Sequence, residues 1–283
     1  MGVSARHYSP ALSLTLIFPL LLLLLAGFLY PIGLLIKLSL FNPDLDFSSY
    51  RRIFEQPLYL DVIVRTVKIG LVVTAASLLA GFPVAYAMTL PKSRINTIAA
   101  AAVFIALWSP VLVRSYAWIV LLQRNGVVNR IFGELDITPA PLKLIHTEGA
   151  VMLAMTHVLM PFMILPIFAA LRAIPAEYVR AARNLGADRF STFLRIILPL
   201  SLPGVFAGCT MCFILAIGFY ITPALVGGPG TLMMATVIGQ QATVLLDWPF
   251  AAALATVLLA VTLVLILVFR KTLSFNRGFD NVG

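Results

Sequence analysis

Long stretches without a charged residue set the pattern of this chain. They occupy residues 8–36, 69–91, 95–113, 149–171, 196–246 and 248–269. A helix rises about 1.5 Å per residue, so about 20 apolar residues cross a hydrocarbon core roughly 30 Å thick. The pattern therefore predicts an all-α polytopic membrane protein with six transmembrane helices.

The fifth stretch is too long for one helix that crosses the membrane. Pro223 and the glycine-rich run 227–230 interrupt it, because proline and glycine both disfavour a continuing helix. The part after this interruption, 232–246, has only 15 residues and contains Gln240 and Gln241. A segment this short and partly polar is typical of a re-entrant or interfacial segment.

The charged residues are distributed unevenly between the predicted loops. If the N-terminus is cytoplasmic, the inner segments carry 11 Lys and Arg against three Asp and Glu, and the outer segments carry six against eight. Cytoplasmic loops hold the excess of Lys and Arg in membrane proteins, so both termini are expected in the cytoplasm. The first stretch is longer than the core of a cleavable signal, about 7–15 residues, which favours an uncleaved first helix.

The composition agrees with a protein that is solvated by lipid. Hydrophobic residues make up 61% of the chain and charged residues only 11%, compared with about 25% charged residues in soluble domains. Because the net charge of +9 follows from the topology, it gives no support to nucleic-acid binding. Cys209 and Cys212 share one apolar run, so neither a disulfide framework nor a metal site is expected. Gly204 and Gly208 in the same run predict close helix packing.

One predicted cytoplasmic loop, between the fourth and fifth spans, has the pattern of two short helices. Pro175 suits a first helical turn, after which apolar positions recur with the spacing of one helical face. Those positions are Tyr178, Ala181, Ala182 and Leu185. Gly186 suits a left-handed helix end, and Asp188 suits the cap of a second helix. Either an amphipathic segment on the membrane surface or an element that docks on a soluble partner fits this pattern.

The same loop resembles the cytoplasmic loop signature of binding-protein-dependent importer permeases. That signature reads E-A-A, three residues, Gly, nine residues, Ile, one residue, Leu-Pro. The matching residues here are Ala181, Ala182, Gly186, Ile196, Leu198 and Pro199. The chain departs from the signature at Arg180, where the family usually has Glu, and this reverses a charge on the expected docking surface. Glu177, one turn earlier, is a candidate to substitute in part.

The resemblance implies the transmembrane fold of a type I ABC importer and a subunit without catalytic residues. It implies that residues 176–195 couple the spans to an ATPase dimer, which holds ATP and Mg, so that this chain binds no cofactor or metal. The other implied partners are a second six-helix permease, expected to be a different chain, and an extracytoplasmic solute-binding protein. The implied location is a bacterial inner membrane.

The resemblance also divides the chain into three regions. Residues 1–64 would form the N-terminal cytoplasmic tail, the first transmembrane helix and an outer loop. Residues 65–270 would form the ABC importer transmembrane domain, and residues 271–283 the C-terminal cytoplasmic tail.

Three further pieces, 109–118, 218–230 and 247–253, resemble the spermidine/putrescine branch of these permeases. That branch implies a polyamine substrate, but relatives with other substrates share the pieces, so an opine, another amino compound or iron stays open. A secondary transporter would need intramembrane ionisable groups and repeated halves, and neither is visible in the sequence. A membrane enzyme would need clustered His, Asp or Glu, whereas the three histidines are scattered.

Five residues are candidates for a place near a substrate pathway. They are Arg114, Tyr220, Gln240, Asp247 and Trp248. In one straight helix from residue 95, Arg114 would lie about 28 Å along the axis, near the outer interface, where a structurally paired arginine is an alternative. Asp247 and Trp248 also have a structural alternative, as a helix cap and an interfacial aromatic residue.

Overall fold

The computed structural model describes residues 10–41, 44–90, 94–138 and 140–274, with side chains described between 15 and 268. The α-helices are α1 (Pro10–Leu24), α2 (Tyr30–Leu40), α3 (Ser48–Glu55), α4 (Pro57–Ala87), α5 (Arg94–Trp108), α6 (Val111–Leu122), α7 (Val127–Glu134), α8 (Glu148–Ala173), α9 (Ala176–Asn184), α10 (Arg189–Thr192), α11 (Leu198–Ile217), α12 (Ile221–Val226), α13 (Met234–Thr243) and α14 (Trp248–Ser274). π-helical turns at Leu25–Leu29 and Phe193–Ile197 and a 3₁₀ turn at Pro229–Thr231 complete the helical structure. The predicted all-α fold is confirmed.

The number of spans agrees with the sequence pattern, although one span is broken. In the described part of the chain, the helical runs long and apolar enough to cross a membrane are Thr15–Leu40, Pro57–Ala87, Glu148–Ala173, Arg189–Ile217 and Trp248–Val268. A sixth arises if Arg94–Trp108 and Val111–Glu134, which meet at a bend of 104°, are counted as one span. The five or six candidate spans agree with the six that the sequence predicts.

The core lies between three of these spans, α4, α8 and α11. Buried aliphatic and methionine side chains fill it, with Met155, Met163 and Ile167 of α8 at its centre. Close approach of α11 to α8 depends on glycine, because a Cβ on Gly204 would lie 2.6 Å from the Pro166 carbonyl oxygen. The G-x-x-x-G expectation is confirmed, and it explains why these two helices pack with their backbones in contact.

The third span does not run as the single straight helix expected for 95–113. It bends between α5 and α6 at Ser109 and Pro110. Proline has no N–H to continue the helical hydrogen bonds, and it disfavours helical geometry at the residue before it. α6 therefore packs against α8 and α12 in a new direction.

The first span lies at the edge of the bundle. None of the residues in its apolar window is buried, and α2 contacts the rest of the molecule mainly through α14. Its end is joined to α3 by a 2.7 Å hydrogen bond between the Ser39 and Tyr50 hydroxyls. The exposed leucine face of this span is what a helix in contact with lipid requires.

The end of α11 leads into the predicted interruption. α12 has six residues, the 3₁₀ turn follows, and α13 has ten residues, so α13 is too short to cross a membrane. α13 packs against α4 and α14, and the Met234 N–H donates to the Thr66 hydroxyl at 2.9 Å. The expectation of a short, non-spanning segment after residue 232 is confirmed.

Candidate functional site

The 176–195 segment begins with α9, which ends as its sequence predicts. Gly186 has φ +85°, the left-handed conformation that glycine adopts without a steric penalty. The Gly186 N–H donates to the Arg183 carbonyl at 3.0 Å, and the Ala187 N–H donates to the Ala182 carbonyl at 3.0 Å. This pair of bonds is the Schellman arrangement, and it fixes the turn after α9. Pro175 was expected in the first turn of this helix, but it is the capping residue immediately before it.

The second part of the 176–195 segment is joined to the fifth span. The Ser191 N–H donates to the Asp188 carboxylate at 3.1 Å, which confirms the expected cap. A separate second helix was expected here. However, α10 has only four residues and continues through the π turn into α11. The Leu198 N–H donates to the Phe193 carbonyl across the π turn, and Pro199 follows in the first turn of α11, where it has no N–H to donate. α10, the π turn and α11 therefore form one continuous helical run, Arg189–Ile217.

A groove of about 570 Å³ lies between α9 and the start of α11. Its walls include Tyr178, Ala181, Ala182, Leu185, Ile196 and Pro199. The expectation that the first four share one helical face is confirmed. Leu185 is 89% exposed and Phe190 is 69% exposed, so two large apolar side chains extend from the segment. Exposed apolar side chains beside a groove are typical of a surface that binds another protein.

Arg180 and Glu177 contact each other. The Arg180 guanidinium donates to the Glu177 carboxylate at 2.7 Å, and both side chains are exposed. The pKa of Glu177 is lower than usual because the carboxylate accepts from its own backbone N–H, and because the Arg180 guanidinium stabilises its charge. Glu177 is thus engaged with the arginine that stands where the signature has Glu. Leu198, another residue of the signature, is half-buried at the start of α11.

Two of the five pathway candidates lie in one cavity at the opposite end of α11. This cavity, the Tyr220 cavity, has a volume of about 460 Å³. Its walls are Tyr220, Pro223, Ala224, Gly227, Gly228, Pro229, Leu232, Thr236 and Gln240. Tyr220 lies against Gly239, since a Cβ on that glycine would be 2.6 Å from the ring. The structure therefore brings Tyr220 and Gln240 together.

His146 fixes one wall of the Tyr220 cavity, and sequence reasoning missed it. Its ring Nδ1–H donates to the Gly227 carbonyl at 2.6 Å, and its backbone N–H donates to the Val226 carbonyl at 3.1 Å. His146 has φ +62°, which is strained for a residue with a side chain. A contact between positions 81 residues apart leaves no local pattern in the sequence, so no motif could have revealed it.

Arg114 is not in this cavity, and the single straight helix expected to carry it is broken at Ser109 and Pro110. The bend places Arg114 in α6, only 9% exposed. Its guanidinium donates to the Val158 carbonyl at 3.1 Å. The neighbouring Ser115 and Thr222 hydroxyls share a 2.8 Å hydrogen bond. This environment favours the structural alternative, in which Arg114 ties α6 to α8.

Asp247 and Trp248 lie apart from the Tyr220 cavity, at the start of α14. The Phe250 N–H donates to the Asp247 carboxylate at 3.2 Å, so Asp247 caps this helix as its structural alternative predicts. Asp247 also pairs with Arg52 at 3.3 Å, and that guanidinium lies 4.1 Å from the Phe250 ring centre. Trp248 is exposed. These contacts join α3 to α14 and give Asp247 a structural role.

Known proteins resemble the chain in sequence and in fold. The profile of a family described as "Binding-protein-dependent transport system inner membrane component" matches residues 77–271. The spermidine/putrescine transport system permease protein of Haemophilus influenzae is 32% identical, over 82% of this chain and 82% of that protein. The inner membrane ABC transporter permease protein YdcU of Escherichia coli is 34% identical, over 82% of this chain and 77% of that protein.

A solved structure has a similar arrangement of helices. It is a bacterial alginate ABC transporter in complex with a periplasmic protein that holds an alginate pentasaccharide. One of its chains superposes with a TM-score of 0.70 at 18% identity, over 91% of this chain and 92% of that chain. At this identity the similarity concerns the fold alone.

Proposed function

The chain belongs to the family of binding-protein-dependent inner membrane transport components, and from this membership we propose that it forms half of an ATP-driven import pathway. It is a permease component of an ABC importer. We propose that a second six-helix permease, a different chain, supplies the other half. A bacterial inner membrane, with both termini in the cytoplasm, is the proposed location.

The 176–195 segment is the observation that carries this proposal. It exposes Leu185 and Phe190 beside an apolar groove, and it continues into α11 without a break. We propose that an ATPase subunit covers these side chains, because burial of apolar surface drives association between proteins. Closure of the ATPase dimer would then move α11. ATP and Mg would be bound by the ATPase, and this chain would bind neither and catalyse no reaction.

A polyamine, spermidine or putrescine, is the proposed substrate, delivered by an extracytoplasmic binding protein. The identity of 32% to a spermidine/putrescine permease supports this choice. The acidic balance of the predicted outer segments agrees with delivery of a cation. We expect genes for an ATPase with a P-loop, a second permease and a secreted binding protein beside the gene for this chain.

Replacement of Gly186 tests the docking role. In the complex with those partners, we expect Gly186→Val to abolish uptake and the stimulation of ATPase activity, because a β-branched residue is strained at φ +85°. Gly186→Asn is the matched control, since asparagine tolerates this conformation. Gly133→Val is a second control, at a glycine of α7 with equally open space.

Membrane insertion of all three variants is checked by their yield in the membrane fraction. Normal uptake by the Gly186→Val transporter would refute the docking role. A loss of uptake in Gly133→Val equal to that in Gly186→Val would also refute it, because the effect would then be general.

A further inference from the structure

The Tyr220 cavity is held open by contacts that do not depend on any ligand. The Gly228 N–H donates to the Thr231 hydroxyl at 2.7 Å, and the Gly227 N–H donates to the Pro223 carbonyl at 3.1 Å. His146 holds the same wall from the loop before α8. On the other side, the Tyr220 ring is seated against Gly239. The cavity is therefore preformed in this chain, as small-molecule sites usually are.

The chemistry of the walls favours a ligand that donates hydrogen bonds. The backbone N–H groups of Gly227 and Gly228 are already engaged, and Pro223 and Pro229 have none. The Gly227 carbonyl accepts from His146 and keeps a second lone pair, and the Gln240 amide oxygen is a further acceptor. The Gln240 amide N–H groups and the Tyr220 hydroxyl can donate as well, so the preference for a donating ligand rests on the engaged backbone N–H groups.

An aromatic face completes the site. Tyr220 is 48% exposed and lines the cavity, so its ring is available to a cation. The residues described as lining the cavity include no Lys or Arg that would repel a cation, and no Asp or Glu that would hold it tightly. A pathway requires binding that is favourable enough for entry and weak enough for release.

We propose that the Tyr220 cavity is a transient binding site for a protonated amine on its way through the membrane, with Tyr220 and Gln240 as the residues that contact it. This inference rests on the proposed function, because it assigns to this chain part of the pathway taken by the polyamine. It differs from the docking role, which concerns the other end of α11.

A charge introduced at Gln240 tests the site. In proteoliposomes with the complete transporter and spermidine-loaded binding protein at saturation, we expect Gln240→Lys to reduce the uptake rate about tenfold or more, because like charges in direct contact repel each other. We expect Gln240→Leu, which only removes an acceptor, to reduce it about two- to threefold. Thr243→Lys is the matched control, since it adds the same charge to an exposed position of α13 outside the cavity.

The aromatic face is tested separately at Tyr220. We expect Tyr220→Phe to keep nearly the full uptake rate and Tyr220→Leu to lose about fivefold, the size of one cation–π contact. The ratio of spermidine to putrescine uptake is measured for each variant, because a purely structural role would lower both rates equally. We expect the ratio to change in Tyr220→Leu and not in Tyr220→Phe.

Each other outcome overturns the proposal. Equal losses in Gln240→Lys and Gln240→Leu, or a similar loss in Thr243→Lys, would show that no cation passes Gln240. Dissociation of the second permease from the Gln240 variants would show that the cavity is a contact between subunits. If the unmodified transporter imports no polyamine, the proposed substrate fails as well. If the unmodified transporter imports polyamine and the Gln240 and Tyr220 variants import it at the same rate, only the binding site in the Tyr220 cavity is refuted.

Discussion

The two ends of α11 are constructed in different ways. At its N-terminal end, the turn at Gly186 and the cap at Asp188 are made by bonds between residues at most five positions apart. At its C-terminal end, the wall of the Tyr220 cavity is made by His146, 81 positions from its partner Gly227. The first end exposes apolar side chains, whereas the second encloses a cavity between several elements.

The difference shows how one helix can serve two surfaces. The 20 residues of α11 span roughly 30 Å, which is the thickness of the hydrocarbon core. The N-terminal end depends on bonds between neighbours in the chain, while the C-terminal end depends on a contact between distant segments. The predictions below alter one end of α11, the packing between the ends, or, at Asp247, a position that belongs to neither end.

The largest effect is expected where α11 packs on α8. A Cβ at Gly204 would lie 2.4 Å from the Ala170 Cβ and 2.6 Å from the Pro166 carbonyl oxygen, so Gly204→Ala forces the helices apart. We expect a loss of about 1–3 kcal/mol in unfolding free energy. Thermal unfolding in detergent measures it, with Gly27→Ala as control because a Cβ there would meet nothing within 4 Å beyond its own helix backbone. Equal stability of the two variants would contradict this packing.

The next prediction tests whether the two ends of α11 act independently. Gly227→Ala places a Cβ 2.4 Å from the Pro223 carbonyl oxygen, which disrupts the wall of the Tyr220 cavity. We expect uptake to fall by about tenfold or more, the equivalent of 1.4 kcal/mol. The ATPase should still co-purify normally, because the 176–195 segment is unchanged. Gly230→Ala, in open space, is the control. Loss of the ATPase from the Gly227→Ala complex would refute the independence of the two ends.

A smaller effect is expected at the start of α14. Asp247→Ala removes a helix cap and should cost about 1 kcal/mol of stability. Asp247→Asn keeps a capping acceptor and loses only a half-exposed ion pair with Arg52, so it should cost only a few tenths of a kcal/mol of stability. Thermal unfolding ranks the variants, and uptake should follow stability. A stable Asp247→Asn transporter without uptake would show that this carboxylate contacts the substrate.

The smallest effect is expected from pH at the 176–195 segment. Because the pKa of Glu177 is lowered from 4.5, the Arg180 pair contributes fully above pH 4.5 and is lost as the pH falls through the lower, folded-state pKa. We expect wild type and Arg180→Ala to differ slightly in thermal unfolding near neutral pH and to converge in acid. Arg183→Ala on the same helix is the control. A difference that grows with acidification would contradict the pairing.

The sequence predicted well those features that depend on neighbours in the chain. The spans follow from apolar length alone, and the turn at Gly186 follows from residues within one helical turn. The bend after Trp108 was missed because Pro110 was counted as part of one apolar stretch, although its missing N–H breaks the helix. For the same reason, the sequence did not separate Arg114, in α6, from the helix that contains residue 95, α5.

The candidate site residues also differ in whether their contacts are to neighbours in the chain or to distant segments. The sequence marks Tyr220 and Gln240 as candidates but does not reveal that they share a cavity, because their proximity depends on how α12 and α13 fold back. His146 was missed, since its role depends on a contact with Gly227 across much of the chain. Asp247 showed a cap pattern in sequence, but its pairing with Arg52 of α3 could not be foreseen.

The central claim is that an ATPase covers the 176–195 segment, and photo-cross-linking tests it most directly. A photoreactive amino acid replaces Leu185, 89% exposed, or, as control, Leu135, 64% exposed and just beyond α7. The complete transporter is then irradiated in the membrane. We expect a cross-link to the ATPase from position 185 and none from position 135. A cross-link to the extracytoplasmic binding protein from position 185, or no difference between the positions, would contradict the account.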